Sequence, residues 1–133
     1  MHKLVLTLSL ITLVTATSCS SKQQAIGGHK DKHGCYTSAG YTWSQVRQDC
    51  IQPWEAGTRL LNAIDSAATT CTYVVMSPDS SRAELFLPSI PTRPILTKST
   101  AGQWQQGSFL LRTEHGMLQL YHKATLIYSQ EHK

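Results

Sequence analysis

Charge is scarce in this chain: Asp, Glu, Lys and Arg make up 15% of its 133 residues, and nowhere do they gather into an acidic or basic block. With 41% apolar residues, that composition suits a globular body and excludes a long charged tail. The basic residues are dispersed as Arg47, Arg59, Arg82, Arg93, Lys98, Arg112 and Lys123. They form no stripe that could track a phosphate backbone, so no nucleic-acid partner is expected. The chain also lacks an apolar run long enough for a comfortable transmembrane helix, an internal repeat, and a Gly-x-Ser-x-Gly setting around Ser38. These absences argue against a helical membrane span, a solenoid or propeller, and a serine-hydrolase elbow. Asp49 and Glu55 read as solvated charges, not as the paired carboxylates of a glycosidase.

What is present begins with an address. Lys3 supplies a positive start, Leu4 to Val14 form a mainly apolar run, and Ala16-Thr17-Ser18 place small residues before Cys19, the layout of a cleavable signal peptide. A cysteine directly after the small residues resembles the bacterial lipobox, in which the thiol is lipidated and becomes the new amino terminus. The expected organisation is a signal peptide over 1–18, a flexible tether over 19–28 and a single domain over 29–133. The tether carries Ser20-Ser21-Lys22-Gln23-Gln24 and Gly27-Gly28. Cleavage before Cys19 leaves 115 residues, enough for one modest core, and lowers the formal charge from +4 to +3. The expected location is the bacterial cell envelope, lipid-anchored to a membrane and facing the periplasm or the exterior.

Export places the remaining cysteines, Cys35, Cys50 and Cys71, where disulfides persist, and three cannot all pair within one chain. A Cys35–Cys50 bridge would staple the segment between them and contribute about 3 kcal/mol by loop entropy. Cys71, in the β-branched stretch Thr70-Cys71-Thr72-Tyr73-Val74-Val75-Met76, is expected to be a small buried hydrophobe. Cys35–Cys71 and Cys50–Cys71 remain open, because connectivity does not follow from sequence.

Thr42 followed by Gln45 has the form of a capping box, and Trp43, Val46, Cys50, Ile51 and Trp54 recur at helical spacing. The spacing predicts a helix from about Trp43 to Ile51, stopped before Trp54 by Pro53. After Thr69, short alternating runs separated by turn residues predict strands at Cys71–Ser77, Arg82–Leu87, Ile95–Ser99, Trp104–Thr113, Met117–Tyr121 and Thr125–Ser129. The expected turns are Ser77-Pro78-Asp79-Ser80, Glu114-His115-Gly116 and His122-Lys123-Ala124. Ala83, Leu85 and Leu87 share a face, as do Phe109 with Leu111 and Leu118 with Leu120. The fold class expected is α+β: one amino-terminal helix packed through Trp43 and Trp54 on an antiparallel β-meander of about five or six strands, able to curl towards a barrel.

Chemistry-bearing residues concentrate in Asp31-Lys32-His33-Gly34-Cys35-Tyr36-Thr37-Ser38-Ala39-Gly40-Tyr41-Thr42-Trp43-Ser44. With Cys50-Ile51, Ala83-Glu84-Leu85-Phe86-Leu87-Pro88 and Leu120-Tyr121 through Leu126-Ile127-Tyr128, this segment resembles a small family of bacterial exported lipoproteins. The family shows an Asp-x-His-Gly-Cys, Ser-Ala-Gly-Tyr-x-Trp-Ser and Cys-Ile pattern ahead of β-strands, and the resemblance implies fold and location but no activity. His33, Tyr36, Ser38 and Tyr41 are the candidate contact surface for an envelope protein or glycan. The favoured function is a non-enzymatic binding or inhibitor-like module without cofactor. Lysozyme inhibitors offer an analogy in size, export, β content and a disulfide. The alternative is a metal- or thiol-dependent enzyme centred on His33 and Cys35, with His33 as base to a Cys35 thiolate, or with His29, Asp31 and His33 aligned on a metal.

Overall fold

A computed structural model of the chain describes residues 29–131. The signal peptide, the tether and Cys19 lie outside the described residues, and among those described no helix is long and apolar enough to cross a membrane. The elements in order are a 3-10 turn at Thr37–Ala39, strands β1 (Thr42–Ser44) and β2 (Asp49–Ile51), and a short helix α1 (Pro53–Ala56). Eight further strands follow: β3 (Thr58–Asn62), β4 (Cys71–Met76), β5 (Arg82–Phe86), β6 (Ile95–Thr100), β7 (Gln103–Gln106), β8 (Phe109–Glu114), β9 (Met117–His122) and β10 (Thr125–Gln130).

Strands β3 to β10 run up and down in chain order and close into an antiparallel barrel, sealed where Tyr128, Ser129 and Gln130 pair with Asn62, Leu61 and Leu60. Closure leaves no free sheet edge in this part of the chain. Alternation along each strand sends Leu60, Val74, Ala83, Leu85, Leu96, Trp104, Leu111, Leu120 and Tyr128 into one buried interior. The few polar groups taken inside have partners: Thr72 Oγ1 donates to the Phe86 carbonyl at 2.9 Å, and Trp104 Nε1 to the Ser80 carbonyl at 2.8 Å. Tight turns finish the hairpins. His115-Gly116 and Lys123-Ala124 each place two consecutive residues at positive φ, as a two-residue hairpin with right-twisted strands requires. Around Ser77-Pro78-Asp79-Ser80, the Asp79 carboxylate accepts from the Ser77 and Ser81 hydroxyls at 2.7 Å each and from the Ser81 N–H at 3.0 Å. The Ser81 hydroxyl leads in lowering its pKa to about 2.

The α+β expectation is therefore corrected. The chain is a β-barrel with one α-helix of four residues among those described, and the sheet closes completely over eight strands. The predicted helix at Trp43–Ile51 is a β-hairpin in which Thr42, Trp43 and Ser44 pair with Ile51, Cys50 and Asp49. A single helical turn does form in its loop: the Ser44 carbonyl accepts from the Gln48 N–H at 2.8 Å, and Ser44 Oγ caps the Arg47 N–H at 3.1 Å. It goes no further because Gln48 turns left-handed at φ 53°, reversing the chain. The stripe consequently scatters. Val46 and Ile51 are buried, Trp43 is half-buried and Trp54 is exposed, so neither tryptophan joins the barrel core. Strand β3 was not among the expected strands, since Thr58-Arg59-Leu60-Leu61 does not alternate, and the expected strand Trp104–Thr113 is two strands split by Gly107 at φ 57°.

Candidate functional site

Residues 29–57 form a strap and hairpin laid on the outside of the barrel. Its first turn is organised by Asp31, whose Oδ1 accepts from the His33 and Cys35 N–H groups at 2.9 Å each. The Cys35 N–H is the main reason that this carboxyl titrates below its usual range. Gly34, at φ +83°, lets the chain reverse, and its N–H donates to the Asp31 carbonyl at 2.9 Å. Cys35 is then buried and bridged to Cys50 on β2, tying the turn to the hairpin.

The hairpin covers the outer faces of β4, β5 and β6. Val46 and Ile51 pack on Val75, with Phe86, Ile95 and Ala56 around them, forming a second, smaller apolar cluster. Arg47 Nε donates to the Met76 carbonyl at 2.6 Å. Beneath the loop lies Glu84, an outward-facing residue of β5 that the hairpin reduces to 0% exposure. Its Oε1 and Oε2 share the Gln45 N–H at 2.8 and 3.3 Å. Burial pushes its pKa up, opposed by the Gln45 N–H, the charge of Arg93 and the Ser44 hydroxyl. Arg93 clamps the strap from the loop before β6. Its guanidinium lies 4.8 Å from the centre of the Phe86 ring and donates to the Trp43 carbonyl and, at 3.0 Å, to Thr42 Oγ1.

Where strap and barrel wall meet, they enclose a cleft of about 640 Å³ lined by Asp31, Lys32 and His33 from the turn, Trp43 and Gln45 from the hairpin, Glu84 from the wall, and Pro91, Thr92 and Arg93 from the opposite loop. His33 stacks on Trp43, ring centres 4.6 Å apart and planes within 9° of parallel. The cleft thus combines an aromatic wall, a free Lys32 ammonium, amide and hydroxyl groups, and a carboxylate below. This is equipment for holding a polar or ring-bearing ligand. The Cys35 sulfur beside the cleft is in the bridge, and Glu84 accepts the Gln45 N–H from beneath a hairpin that covers it. A second, shallower cleft of about 430 Å³ shares Thr92 and Arg93 and continues to Ile90, Ile95 and Phe109.

Of the four contact residues expected from sequence, His33 lines the cleft and the other three do not. Tyr36 is half-buried with Lys30 Nζ 4.8 Å above its ring, Ser38 is exposed in the 3-10 turn, and Tyr41 is exposed just after it. Cys35 and Cys50 form the favoured bridge, which closes the two pairings left open, and Cys71 is a free, half-buried thiol. His29, Asp31 and His33 are not aligned on an extended stretch, because the chain turns at Asp31–Gly34. Among the described residues no three His, Cys, Asp or Glu side chains gather as metal ligands.

Sequence reasoning missed Glu84, Arg93 and the cleft role of Trp43. One signal was available: Tyr73-Val74-Val75-Met76 is apolar on both faces of β4, and Phe86 is apolar beside Glu84 on the outer face of β5. A strand apolar on both faces is one covered on both sides. No family model, curated protein or solved structure matches this chain.

Proposed function

We propose that this chain is a membrane-anchored lipoprotein of the bacterial envelope that works by binding, in the manner of an inhibitor, without catalysing a reaction. The observation that carries the reading is the cleft between strap and barrel, an aromatic and polar recess whose one neighbouring thiol is closed in a disulfide. The barrel interior supports it too. That space is filled by packed side chains, so a partner meets the outside of the molecule. Export, a lipidated Cys19 and the resemblance to exported lipoproteins give the location. The lysozyme-inhibitor analogy is strengthened by a small β-barrel stapled by one bridge.

Two probes test it together: a lysozyme digesting purified peptidoglycan, and the peptidoglycan itself in a pelleting assay. Mature protein slows the digestion in stoichiometric amounts or pellets with the glycan. Lys32→Glu, which removes the worth of one charged hydrogen bond, and Thr92→Trp, which fills the recess, both at exposed cleft positions, each weaken that effect roughly tenfold. Failure of both probes at saturating protein overturns the inhibitor-like reading. Effects untouched by either substitution remove the cleft from it.

A further inference from the structure

Exposed apolar surface is unevenly spread over the molecule. Three large apolar side chains stand exposed among the described residues; Ile64 lies between β3 and β4, while Tyr41 at 38% and Trp54 at 49% belong to the strap. Trp54 rests against Gly40, the residue before Tyr41, where a Cβ would come within 2.1 Å of the indole Cη2. Gly40 also sits at φ +80°, so no other residue fits comfortably there. Gln52 Nε2 donates to the Ala39 carbonyl at 3.0 Å, locking the approach to α1 onto the same turn. The pair is therefore held ready on ordered backbone. Trp and Tyr, each an apolar body with a polar tip, are suited to the boundary between lipid and water.

Their position is as telling as their chemistry. The described fold begins at His29, whose carbonyl accepts from the Thr37 N–H at 3.1 Å and from Thr37 Oγ1 at 3.0 Å. Thr37 opens the turn that ends at Gly40 against Trp54. Nine residues lie between Cys19 and His29, and the ten Cα–Cα steps across them span at most about 35 Å in any conformation. A domain of about a hundred residues has a radius near 17 Å, so reaching round to its opposite side takes roughly 50 Å of chain. A lipid on Cys19 therefore keeps the His29 side, with Tyr41 and Trp54, towards the bilayer. Exposed Lys30 and Lys32 flank this side, against Asp31, Asp49 and Glu55, so the charge is mixed and the aromatic pair supplies the attraction.

We infer that Tyr41 and Trp54 seat in the headgroup layer of the membrane that holds Cys19, giving the domain a second, non-covalent attachment that fixes its orientation. This rests on the lipoprotein reading above. A short leash raises the local concentration of the bilayer surface to the order of millimolar, so the aromatic pair needs only weak intrinsic affinity to stay seated. The cleft beside residues 31–33 is then held near the membrane instead of swinging freely.

The test uses full-length mature protein purified from membranes and placed in phosphatidylethanolamine and phosphatidylglycerol vesicles carrying brominated acyl chains. Trp104 is buried and Trp43 is half-buried against His33. Bromolipid quenching is therefore expected to come from Trp54, to disappear in Trp54→Phe, and to accompany protection of Trp54 from aqueous iodide. Equal quenching in Trp54→Phe, or iodide access unchanged by vesicles, overturns the inference. Iodide protection without bromolipid quenching also overturns it, marking a second copy of the chain as the cover. Intact mass separates the two levels: no acyl group on Cys19 brings down the lipoprotein reading and this inference with it, whereas an acylated protein with unquenched Trp54 brings down this inference alone.

Discussion

Between residues 58 and 130 every strand hydrogen-bonds to two neighbours and sends alternate side chains into a shared interior. Between 29 and 57, two three-residue strands and a four-residue helix have no interior of their own. The strap borrows one from the barrel's outer wall through Val46, Ile51 and Val75, and adds specific ties: the Cys35–Cys50 bridge, the Arg93 clamp and the Gln45 hydrogen bonds to Glu84. The barrel is held by many interchangeable apolar contacts, the strap by a few particular ones. The cleft lies on the seam between them, so its shape depends on the ties and its rigidity on the wall.

The largest expected effect breaks both regions at once. Leu111→Ala, at a fully buried position of β8, removes about 2 to 5 kcal/mol from denaturant unfolding of the barrel, and the strap that leans on its wall is lost no later than the barrel itself. Arg93→Ala separates them. It removes two charge-assisted hydrogen bonds and a stacked cation, lowering strap protection by about 2 kcal/mol in hydrogen exchange while the β7–β9 amides stay protected. A strap that remains protected in Arg93→Ala would show that the apolar patch suffices. On the barrel side alone, Ala124 sits at φ 64° in the β9–β10 turn, so Ala124→Gly raises stability by about 1 kcal/mol, measured by the denaturant midpoint.

The smallest effect is a pH dependence at the seam. Burial raises the Glu84 pKa in the fold, so its charged form is disfavoured there. The contribution to stability is fully present below the unfolded pKa, near 4.5, and is lost as pH rises through the folded value. Glu84→Gln retains an acceptor for Gln45 and is expected to melt above the parent at neutral pH, with the two converging in acid. A gap that widens towards low pH would contradict this sign.

The same division governs what the sequence disclosed. Strands β4, β5, β6, β9 and β10 and the turns at 77–80, 114–116 and 122–124 were legible because alternation and turn chemistry are local; alternation also put Leu85, Leu111 and Leu120 each on an apolar face, which barrel closure then joins in one core. The strap misled because its apolar residues keep helical spacing while serving separate ends: a wall contact for Val46, a bridge for Cys50, the open surface for Trp54. A capping residue was present, but it was Ser44, and one left-handed residue, Gln48, cut the helix to a turn. His33 was found in its dense local segment. Glu84 and Arg93 were not, since Glu84 reads as solvent-facing until the distant hairpin covers it, and Arg93 reaches the strap across 50 residues of chain.

Hydrogen exchange on the protein with its Cys35–Cys50 bridge intact and reduced tests the division most directly. A closure of this length is worth about 3 kcal/mol, so reduction is predicted to speed exchange of the protected amides between residues 35 and 51 about a hundredfold while those of β7, β8 and β9 keep their rates. Barrel amides rising by the same factor as the strap would contradict the account, since the two would then be one cooperative unit.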